Sequence, residues 1–457
     1  MKFQIRLSAM SRINFLNNLF QAKEKITLAL DRLSGPDIDL AGNRFTNQIK
    51  SLFYRLFRFH EFRNIFFIHR IIFFYLISLL LSPLCFLLYK IGFRFLSIKL
   101  DQVGDVQFLD AAIKKELLKN QKYNKFFFLV PRSKYPLANN YILDLYSPYV
   151  TYIKNPILRF VLSPFFVNPF FNSKIFEFDP CYSWNNKKMI KKTFYYETVN
   201  KYEEKFNNIL PRITDSEFIK AALLLAPLFD INKPFVALHV RDSGLYKDFN
   251  RTTRNGNIND YDLAIGYLIK KGFNVVRMGH SSAVEANELI KKYPGNFIDY
   301  AKSQHRSDFL DSILMSKCSF FIGGASGLFA LALILNKPTC LVNFYSLSNS
   351  LGANKASLTT FKKIKKISDN SLLNFYDYLR DPFISSPQLA KLKDLGFYLE
   401  DNSAEEIYLT VYEFLNPSND NELSTKAKLN IYDYMYMFNA RGNFSKVMLD
   451  QYIKLDS

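Results

Sequence analysis

The sequence predicts an α/β fold of two Rossmann-like domains with parallel sheets, preceded by an N-terminal membrane-associating helical segment. Three observations predict it. A chain of 457 residues is too long for one ordinary domain. Short β-rich apolar runs alternate with helical patterns through most of the chain, which is typical of parallel strands joined by crossover helices. A long uncharged stretch lies before residue 95.

The alternation is clearest in the C-terminal half. Strands are predicted at 235–240, 274–278, 296–300, 320–322 and 339–344. Helices are predicted between them at 260–271, 283–293, 308–317 and 326–335, and Gly272 is a suitable C-cap for the first. Five strands that alternate with helices imply a doubly wound parallel sheet. This domain is expected at residues 226–420, followed by a helical tail at 421–457.

A weaker alternation precedes it and predicts a second, smaller α/β domain at residues 96–225. Strands are predicted at 97–100 and 126–130, and helices at 106–118, 138–146 and 214–228. The loop 101–105 (DQVGD) joins the first strand to the first helix. The aromatic, Pro-rich stretch 147–186 has no assigned structure.

Residues 1–95 form a basic and apolar region. Within it, residues 71–89 contain no charge and as a helix would span about 28 Å, near the ~30 Å of a bilayer core. Cations flank both ends without a clear positive-inside asymmetry, and Pro83 interrupts the run. These flanks favour monotopic or re-entrant attachment. A single span and a buried core helix are the alternatives.

The net charge of +19 indicates which classes of binding partner to expect. Sustained positive potential attracts nucleic acid, anionic lipid or phosphorylated substrates. Much of the excess surrounds the apolar segment, where lipid headgroups are the simplest partner; a Lys-rich solvated surface is the alternative. The four cysteines are widely spaced without a CxxC pair, which predicts a reducing compartment and no zinc site. Cys85, Cys318 and Cys340 lie in apolar runs and are predicted to be buried thiols.

The loops at the carboxyl ends of the strands are the expected ligand site, because parallel sheets bind ligands there. The first loop is HVRDSG (239–244), where strand alternation places His239 and Arg241 on the same face. The guanidinium of arginine offers a fixed fork of donors that suits a diphosphate. An Arg241–Asp242 pair that only holds the loop is the structural alternative.

Two further loops meet the same edge. In GGASG (323–327), small residues let backbone N–H groups approach a phosphate at a helix N-terminus, although such a turn can also serve packing. Arg306 adds a cation, and Ser307 and Asp308 add polar groups that a plain N-cap also explains. The sequence lacks GxGxxG and the Walker lysine, so neither NAD binding nor P-loop chemistry is predicted.

No metal site is predicted. The two DxD strings begin at Asp37 and Asp260, and the second lies at a helix start, where carboxylates complement the helix dipole. Arginines and helix N-termini can neutralise a diphosphate without Mg²⁺.

These residues resemble a family of bacterial glycosyltransferases from surface-polysaccharide biosynthesis. The matching segments are ALHVRDSG (237–244), RNGNINDYDLAIGYLIKKGFNVVRMG (254–279) and SDFLDSILMSKCSFFIGGASGL (307–328), with weaker matches in DQVGDVQFLDAAI (101–113) and LANNYILDL (137–145). More distantly, the His-x-Arg loop and the IGGxS block resemble the protein O-fucosyltransferase and α-1,6-fucosyltransferase superfamily. That resemblance implies a GT-B-like fold and metal-independent transfer, with Arg241 on the donor diphosphate.

The resulting prediction is a glycosyltransferase that moves a sugar from a nucleotide-diphospho-sugar to a glycan or lipid-linked glycan acceptor, with no cofactor. The acceptor domain would be 96–225 and the donor domain 226–420. The predicted catalytic residues are Arg241, which stabilises the departing diphosphate, and Asp242 or Asp105 as general base. The predicted donor-binding residues are His239, Arg241, Ser243, Arg277, Gly279, Arg306, Ser307, Asp308, Gly323, Gly324, Ser326 and Gly327.

The predicted location is the cytoplasmic face of a bacterial inner membrane. Two other functions are open at this point. One is a non-catalytic sugar- or nucleotide-binding scaffold of a polysaccharide assembly complex. The other is a basic nucleic-acid-binding protein, which fits the charge but not the strand-end loops, so no nucleic acid partner is expected.

Overall fold

Two parallel sheets organise the chain, which confirms the predicted α/β fold. The computed structural model describes residues 65–96, 100, 103–119, 125–129, 139–168, 183–185, 188–190, 195–206, 210–242, 253–345, 357–373, 389–417 and 443–448. All pairings within the two sheets are parallel.

Two apolar helices precede the first sheet. Helix α1 (Ile65–Leu80) and helix α2 (Ser82–Lys90) meet at Leu81, with Pro83 in the first turn of α2, where a missing N–H costs no hydrogen bond. The two axes are bent by 60°. Among the described residues, no single helix is both long enough and apolar enough to span a membrane. The bent pair reaches that length and apolarity only when its two helices are counted together.

The N-terminal sheet has three strands in the order β1-β2-β3: β1 (Phe93–Leu96), β2 (Lys125–Leu129) and β3 (Val150–Ile153). A 3-10 turn (Val103–Asp105) leads into helix α3 (Val106–Leu118), and helix α4 (Asn140–Leu145) precedes β3. The first strand lies earlier than the predicted 97–100, of which residues 97–99 fall outside the described residues. The cause is Arg94, a buried strand residue whose Nε donates to Glu116 Oε2 at 3.0 Å. A charged residue at this position interrupts the apolar run by which a buried strand is predicted.

Smaller elements follow between the two sheets, partly within the stretch that the sequence left unassigned. They are helix α5 (Pro156–Val167), a hairpin of β4 (Ser183–Asn185) and β5 (Lys188–Ile190), helix α6 (Tyr195–Phe206) and helix α7 (Asp215–Leu225). Asn155 caps α5 by accepting from the backbone N–H groups of Ile157 and Leu158. Thr214 and Glu217 form a capping box on α7.

The C-terminal sheet has seven strands in the order β14-β11-β10-β9-β6-β7-β8. Its strands are β6 (Phe235–His239), β7 (Asn274–Arg277), β8 (Phe297–Ile298), β9 (Phe321–Gly323), β10 (Thr339–Phe344), β11 (Leu358–Phe361) and β14 (Asn443–Phe444). The helices are α8 (Asp262–Lys270), α9 (Asn287–Lys292), α10 (Asp308–Lys317), α11 (Gly327–Ile334), α12 (Leu389–Asp394) and α13 (Ala404–Leu415). An antiparallel ribbon of β12 (Lys363–Lys366) and β13 (Phe397–Glu400) adjoins them.

Burial in the core accounts for the apolar runs from which the strands were predicted. Every residue of β7, β9 and β10 is buried, as expected of strands covered by helices on both faces. Cys85, Cys318 and Cys340 are buried free thiols, as predicted, and Cys181 lies outside the described residues. Strand β14 lies within the predicted C-terminal tail, so the chain returns to the sheet after α13.

Candidate functional site

Strand β6 lies at the centre of the site because its two neighbours bring their loops to the same edge. His239 pairs in register with Gly323 of β9, and Leu238 pairs with Arg277 of β7. The three strands are parallel, so their carboxyl ends are adjacent. The loops that the sequence singled out therefore converge, as the prediction required.

Gly323 and Gly324 permit very close contact between backbones. A Cβ atom at Gly323 would lie 2.4 Å from the carbonyl oxygen of His239, and one at Gly324 would lie 3.4 Å from the carbonyl oxygen of Val342. Helix α11 begins directly afterwards, and Ser326 caps it by accepting from the N–H of Phe329 at 3.2 Å. The packing and capping functions are thus present, and the positive end of α11 lies at the carboxyl edge of the sheet.

His239 is held in one tautomer. Its Nδ1 lies 3.0 Å from the carbonyl oxygen of Met278, which can only accept, so Nδ1 carries the proton and Nε2 holds the lone pair. Burial, together with the positive charges of Arg241 and Arg277, lowers the pKa of His239. Gly279 has φ +146°, and a Cβ atom there would lie 3.3 Å from Nδ1 of the ring. A neutral imidazole with a hydrogen-bond acceptor at Nε2 follows.

Arg277 lies beneath this edge and is only 1% exposed. Its guanidinium donates to Asp299 Oδ2 at 3.0 Å, to the carbonyl oxygen of Val284 at 2.7 Å and to Asp242 Oδ2 at 3.4 Å. Asp242 Oδ2 also accepts from the N–H of Val284 at 2.8 Å. Arg277 therefore positions two carboxylates, Asp242 and Asp299, from inside the protein.

The third loop joins the site to the loop after β7. Arg306 Nε donates to the carbonyl oxygen of Gly279 at 2.7 Å, which places this cation beside the loop that supports His239. Ser307 caps α10 by accepting from the N–H of Leu310 at 3.2 Å, so the capping interpretation holds for this residue.

Asp308 faces the N-terminal domain. Its Oδ2 accepts from the backbone N–H of Asn140 at 2.8 Å and from Asn140 Nδ2 at 3.1 Å. Asn139 Nδ2 donates to the carbonyl oxygen of Asp308 at 2.8 Å. The structure thus gives Asp308 a contact between the domains; its contact with a donor stays a prediction.

The 3-10 turn of the N-terminal domain packs directly on α11. A Cβ atom at Gly327 would lie 3.1 Å from Val103 Cβ and 3.6 Å from the backbone nitrogen of Gly104. Asp105 is the next residue and ends this turn. The turn that carries Asp105 in one domain therefore contacts the N-terminal end of a helix in the other.

Arg241 follows His239 by two residues, and its carbonyl oxygen accepts from the N–H of Gly256 at 2.8 Å. This bond brings the segment 253–257 back to the carboxyl edge. Ser243 lies outside the described residues. In the part of the chain that the structure describes, no group of three or more His, Cys, Asp or Glu side chains is arranged to hold a metal ion.

Sequence analysis missed the polar residues on the far side of this edge, among them Lys362 and Asp401. Lys362 directly follows β11, a strand that was not predicted. Recognising that short β-rich run (LTTF) would have placed Lys362 at a strand end and made it a candidate.

No protein-family model matches the chain, and no curated protein matches it. Among solved structures, it is similar to a glycosyl transferase of family 9 from Veillonella parvula, with 10% identity, a TM-score of 0.41, and 72% of this chain and 98% of that one covered.

Two similar structures from E. coli are also enzymes of sugar transfer. One is the heptosyltransferase WaaC with ADP-2-deoxy-2-fluoro heptose, with 13% identity, a TM-score of 0.35, and 67% of this chain and 98% of that one covered. The other is ADP-heptose LPS heptosyltransferase II, with 13% identity, a TM-score of 0.32, and coverage of 55% and 84%. All three TM-scores lie below 0.5, so these similarities do not indicate what this chain binds or transfers.

Proposed function

We propose that this chain transfers a sugar from a nucleotide-diphospho-sugar to a glycan or lipid-linked glycan acceptor, without a metal cofactor. One observation carries the proposal: the turn that ends at Asp105 packs on the N-terminus of α11, and the loop before α11 begins at Gly323, which pairs with His239. The second domain supplies cations and a positive helix end, and the first supplies a carboxylate. Transfer from a diphosphate needs both, and two facing domains with parallel sheets are the arrangement of a GT-B-like enzyme.

On the donor side, Arg241 binds the diphosphate. Its guanidinium fork matches two phosphate oxygens, and Arg306 and the first turn of α11 add positive potential. When the bond between the sugar C1 and the phosphate oxygen breaks, its electron pair leaves with the nucleoside diphosphate. Fixed positive groups stabilise the charge that develops there. The neutral His239 accepts a hydrogen bond from a donor hydroxyl at Nε2.

On the acceptor side, a hydroxyl oxygen forms the new bond to C1 and its proton passes to a carboxylate. We assign this role to Asp105, because it lies in the domain opposite the cations that would bind the donor. The Oδ2 atom of Asp242 already accepts from Val284 and Arg277, which fix that carboxylate in its loop. Asp242 is therefore proposed as a positioning residue and Asp105 as the general base.

An apolar surface supports membrane attachment of the same domain. Helix α1 packs on α5, with the rings of Phe74 and Phe160 5.1 Å apart. Large exposed apolar side chains cover α1, α2 and α5: Phe73, Leu76, Leu79, Leu80, Leu84, Phe86, Leu87, Ile157, Leu158, Phe160 and Val161. The cations Lys90, Lys154 and Arg159 lie on or beside these helices. We name these side chains the apolar helix surface, and propose that it holds the acceptor domain at the cytoplasmic face of a bacterial inner membrane.

A thermal-shift panel of UDP, GDP, CMP and ADP tests donor binding. A ligand at 100 times its Kd adds about 2.7 kcal/mol of stability. We expect one nucleotide to stabilise the wild type and Lys291→Ala, an exposed lysine on α9, but not Arg241→Ala. Equal stabilisation of the folded Arg241→Ala protein would refute the role of Arg241.

Turnover tests the general base. Once the donor is known, Asp105→Asn should lower kcat about 100-fold or more while donor affinity is kept, because the carboxylate acts only on the acceptor proton. Asp242→Asn should have the smaller effect on kcat. Near-normal kcat in a folded Asp105→Asn protein would remove Asp105 from the mechanism.

A further inference from the structure

A cavity of about 290 Å³ lies beside the proposed donor site. Its lining residues are Thr253, Asn255, Gly256, Asn257, Lys362, Leu399 and Asp401. The hydrogen bond from Gly256 N to the carbonyl oxygen of Arg241 connects one wall directly to the donor site. The backbone N–H of Lys362 donates to Phe344 O at 2.9 Å, so the other wall lies at the carboxyl end of β10.

The one cation among the described lining residues is already engaged. The side chain of Lys362 is only 3% exposed, and its Nζ donates to the carbonyl oxygen of Asn255 at 2.6 Å and to Asp401 Oδ1 at 2.5 Å. A buried ammonium paired in this way is neutralised by its partners. Lys362 therefore fixes Asp401 in the wall, and the cavity has little positive potential for a phosphate.

Two hydrogen-bond acceptors in the lining, on Asn255 and Asp401, are placed to receive a ligand. Asn255 Oδ1 is buried and has no hydrogen-bond partner among the described residues. Asp401 keeps 39% of its side chain exposed, so part of its carboxylate is open to a ligand. Burial and the negative charge of Asp401 together raise the pKa of the neighbouring Asp260, which lies on the same side of the cavity as a second carboxyl group. Such a cavity favours a ligand that donates hydroxyl hydrogens and disfavours a phosphate.

We propose that this cavity binds one hydroxyl-bearing ring of the nucleotide-sugar, whose hydroxyls donate to Asp401 and to Asn255 Oδ1. The inference rests on the proposed function, because it places the ring next to the diphosphate held by Arg241. The volume is at the small end of the range for ligand cavities, roughly 300–1,000 Å³, which suits one ring. Lys362 acts as a positioning residue for Asp401. The ring is either the transferred sugar or the ribose, which share this chemistry.

Calorimetric titration of two variants tests the proposal. The probes are UDP, GDP and ADP and their conjugates UDP-glucose, GDP-mannose and ADP-glucose, and the pair that binds the wild type is used. Loss of a hydrogen bond to a charged acceptor should weaken binding to Asp401→Asn about 10- to 100-fold, and loss of a neutral acceptor should weaken binding to Asn255→Ala about 3- to 10-fold. Glu405→Gln, an exposed carboxylate of α13, is the matched control and should bind like the wild type.

The paired probes separate the two rings. If the cavity holds the transferred sugar, both variants lose affinity for the nucleotide-sugar and keep it for the free nucleoside diphosphate. If the cavity holds the ribose, both probes lose affinity by the same factor. Either result supports the proposal.

Asn255→Ala keeps the test decisive if Asp401→Asn fails to fold because Lys362 loses its partner. The Oδ1 atom of Asn255 gives up no hydrogen bond among the described residues, so this variant should keep the wild-type Tm. Wild-type affinity of folded Asn255→Ala for both probes would overturn the proposal. That result differs from failure of the proposed function, in which Arg241→Ala would also leave nucleotide binding unchanged.

Discussion

A single methyl group at position 323 would collide with the backbone of the central strand. The Cβ atom would lie 2.4 Å from the carbonyl oxygen of His239 and 2.9 Å from Phe321 Cζ. The clash can be relieved only if strands β6 and β9 move apart and lose backbone hydrogen bonds. We expect Gly323→Ala to cost about 1–3 kcal/mol of unfolding free energy, as overpacking does.

Urea denaturation measures this cost. Gly104→Ala is the matched control for stability, since its Cβ atom would meet no other atom within 4 Å. An unchanged midpoint for Gly323→Ala would contradict the close approach of the two strands.

Asp311 gives the stability of the protein a pH dependence. Burial raises the pKa of Asp311 from 3.8 to about 6, against the opposing effects of Arg306 and Tyr300. The native state therefore holds a proton that the unfolded state has lost, and stability falls as pH rises from about 4 to about 6. This difference in pKa corresponds to a loss of about 3 kcal/mol of unfolding free energy.

Asp311→Asn removes the ionisable group. We expect it to raise the free energy of unfolding at pH 7.5 by up to about 3 kcal/mol and to change it little at pH 4. Chemical denaturation at both pH values checks this. A variant that is less stable than the wild type at pH 7.5 would show that the ionised Asp311 is stabilising.

At the residue scale, the sequence predicted those positions that depend on local strand geometry. The carboxyl-edge rule brought His239 and the Gly323 loop together correctly. The partners of Arg277 were out of reach, because Asp299 and Asp242 lie 22 and 35 positions away in the chain. The sequence showed an arginine at a strand end and could not show that its guanidinium turns inward.

At the scale of elements, α4 and α10 form a polar contact between the two domains. The carboxylate of Asp308 receives Nδ2 of Asn140 at 3.1 Å, and Asn139 also approaches Ser312 Oγ at 3.3 Å. A double-mutant cycle of Asp308→Ala and Asn140→Ala should give a coupling energy of about 1 kcal/mol, because the two residues are in direct contact. Additive losses of stability would contradict the contact.

Charged residues hid strand β12 and the residue before it. Lys362 and Lys363 follow β11, and they are accommodated by Asp401, Glu400 and Glu406. A pattern of apolar residues cannot anticipate charges that are compensated by distant carboxylates. Helix α3 needs no such partner to be recognised, because its apolar spacing lies within the helix, and its predicted bounds at 106–118 are those observed.

At the scale of the whole molecule, the apolar helix surface packs against the domain that carries Asp105, the proposed general base. The proposed donor site belongs to the other domain. A chain attached to a bilayer through α1, α2 and α5 would hold its acceptor half near lipid-linked substrates. Arginines and lysines exceed acidic residues by 60 to 41, so attraction to anionic headgroups adds to apolar insertion.

Flotation with lipid vesicles tests this attachment. The wild type should bind vesicles that contain phosphatidylglycerol more tightly than neutral vesicles, and higher salt should weaken only the electrostatic part. Phe86→Glu with Phe160→Glu places two charges in the apolar helix surface and should release the protein. The control, Ile367→Glu with Leu395→Glu, changes equally exposed apolar residues outside that surface and should stay bound. If both folded double variants float with the vesicles, the apolar helix surface is not the point of attachment, and the excess of basic residues elsewhere must account for any binding.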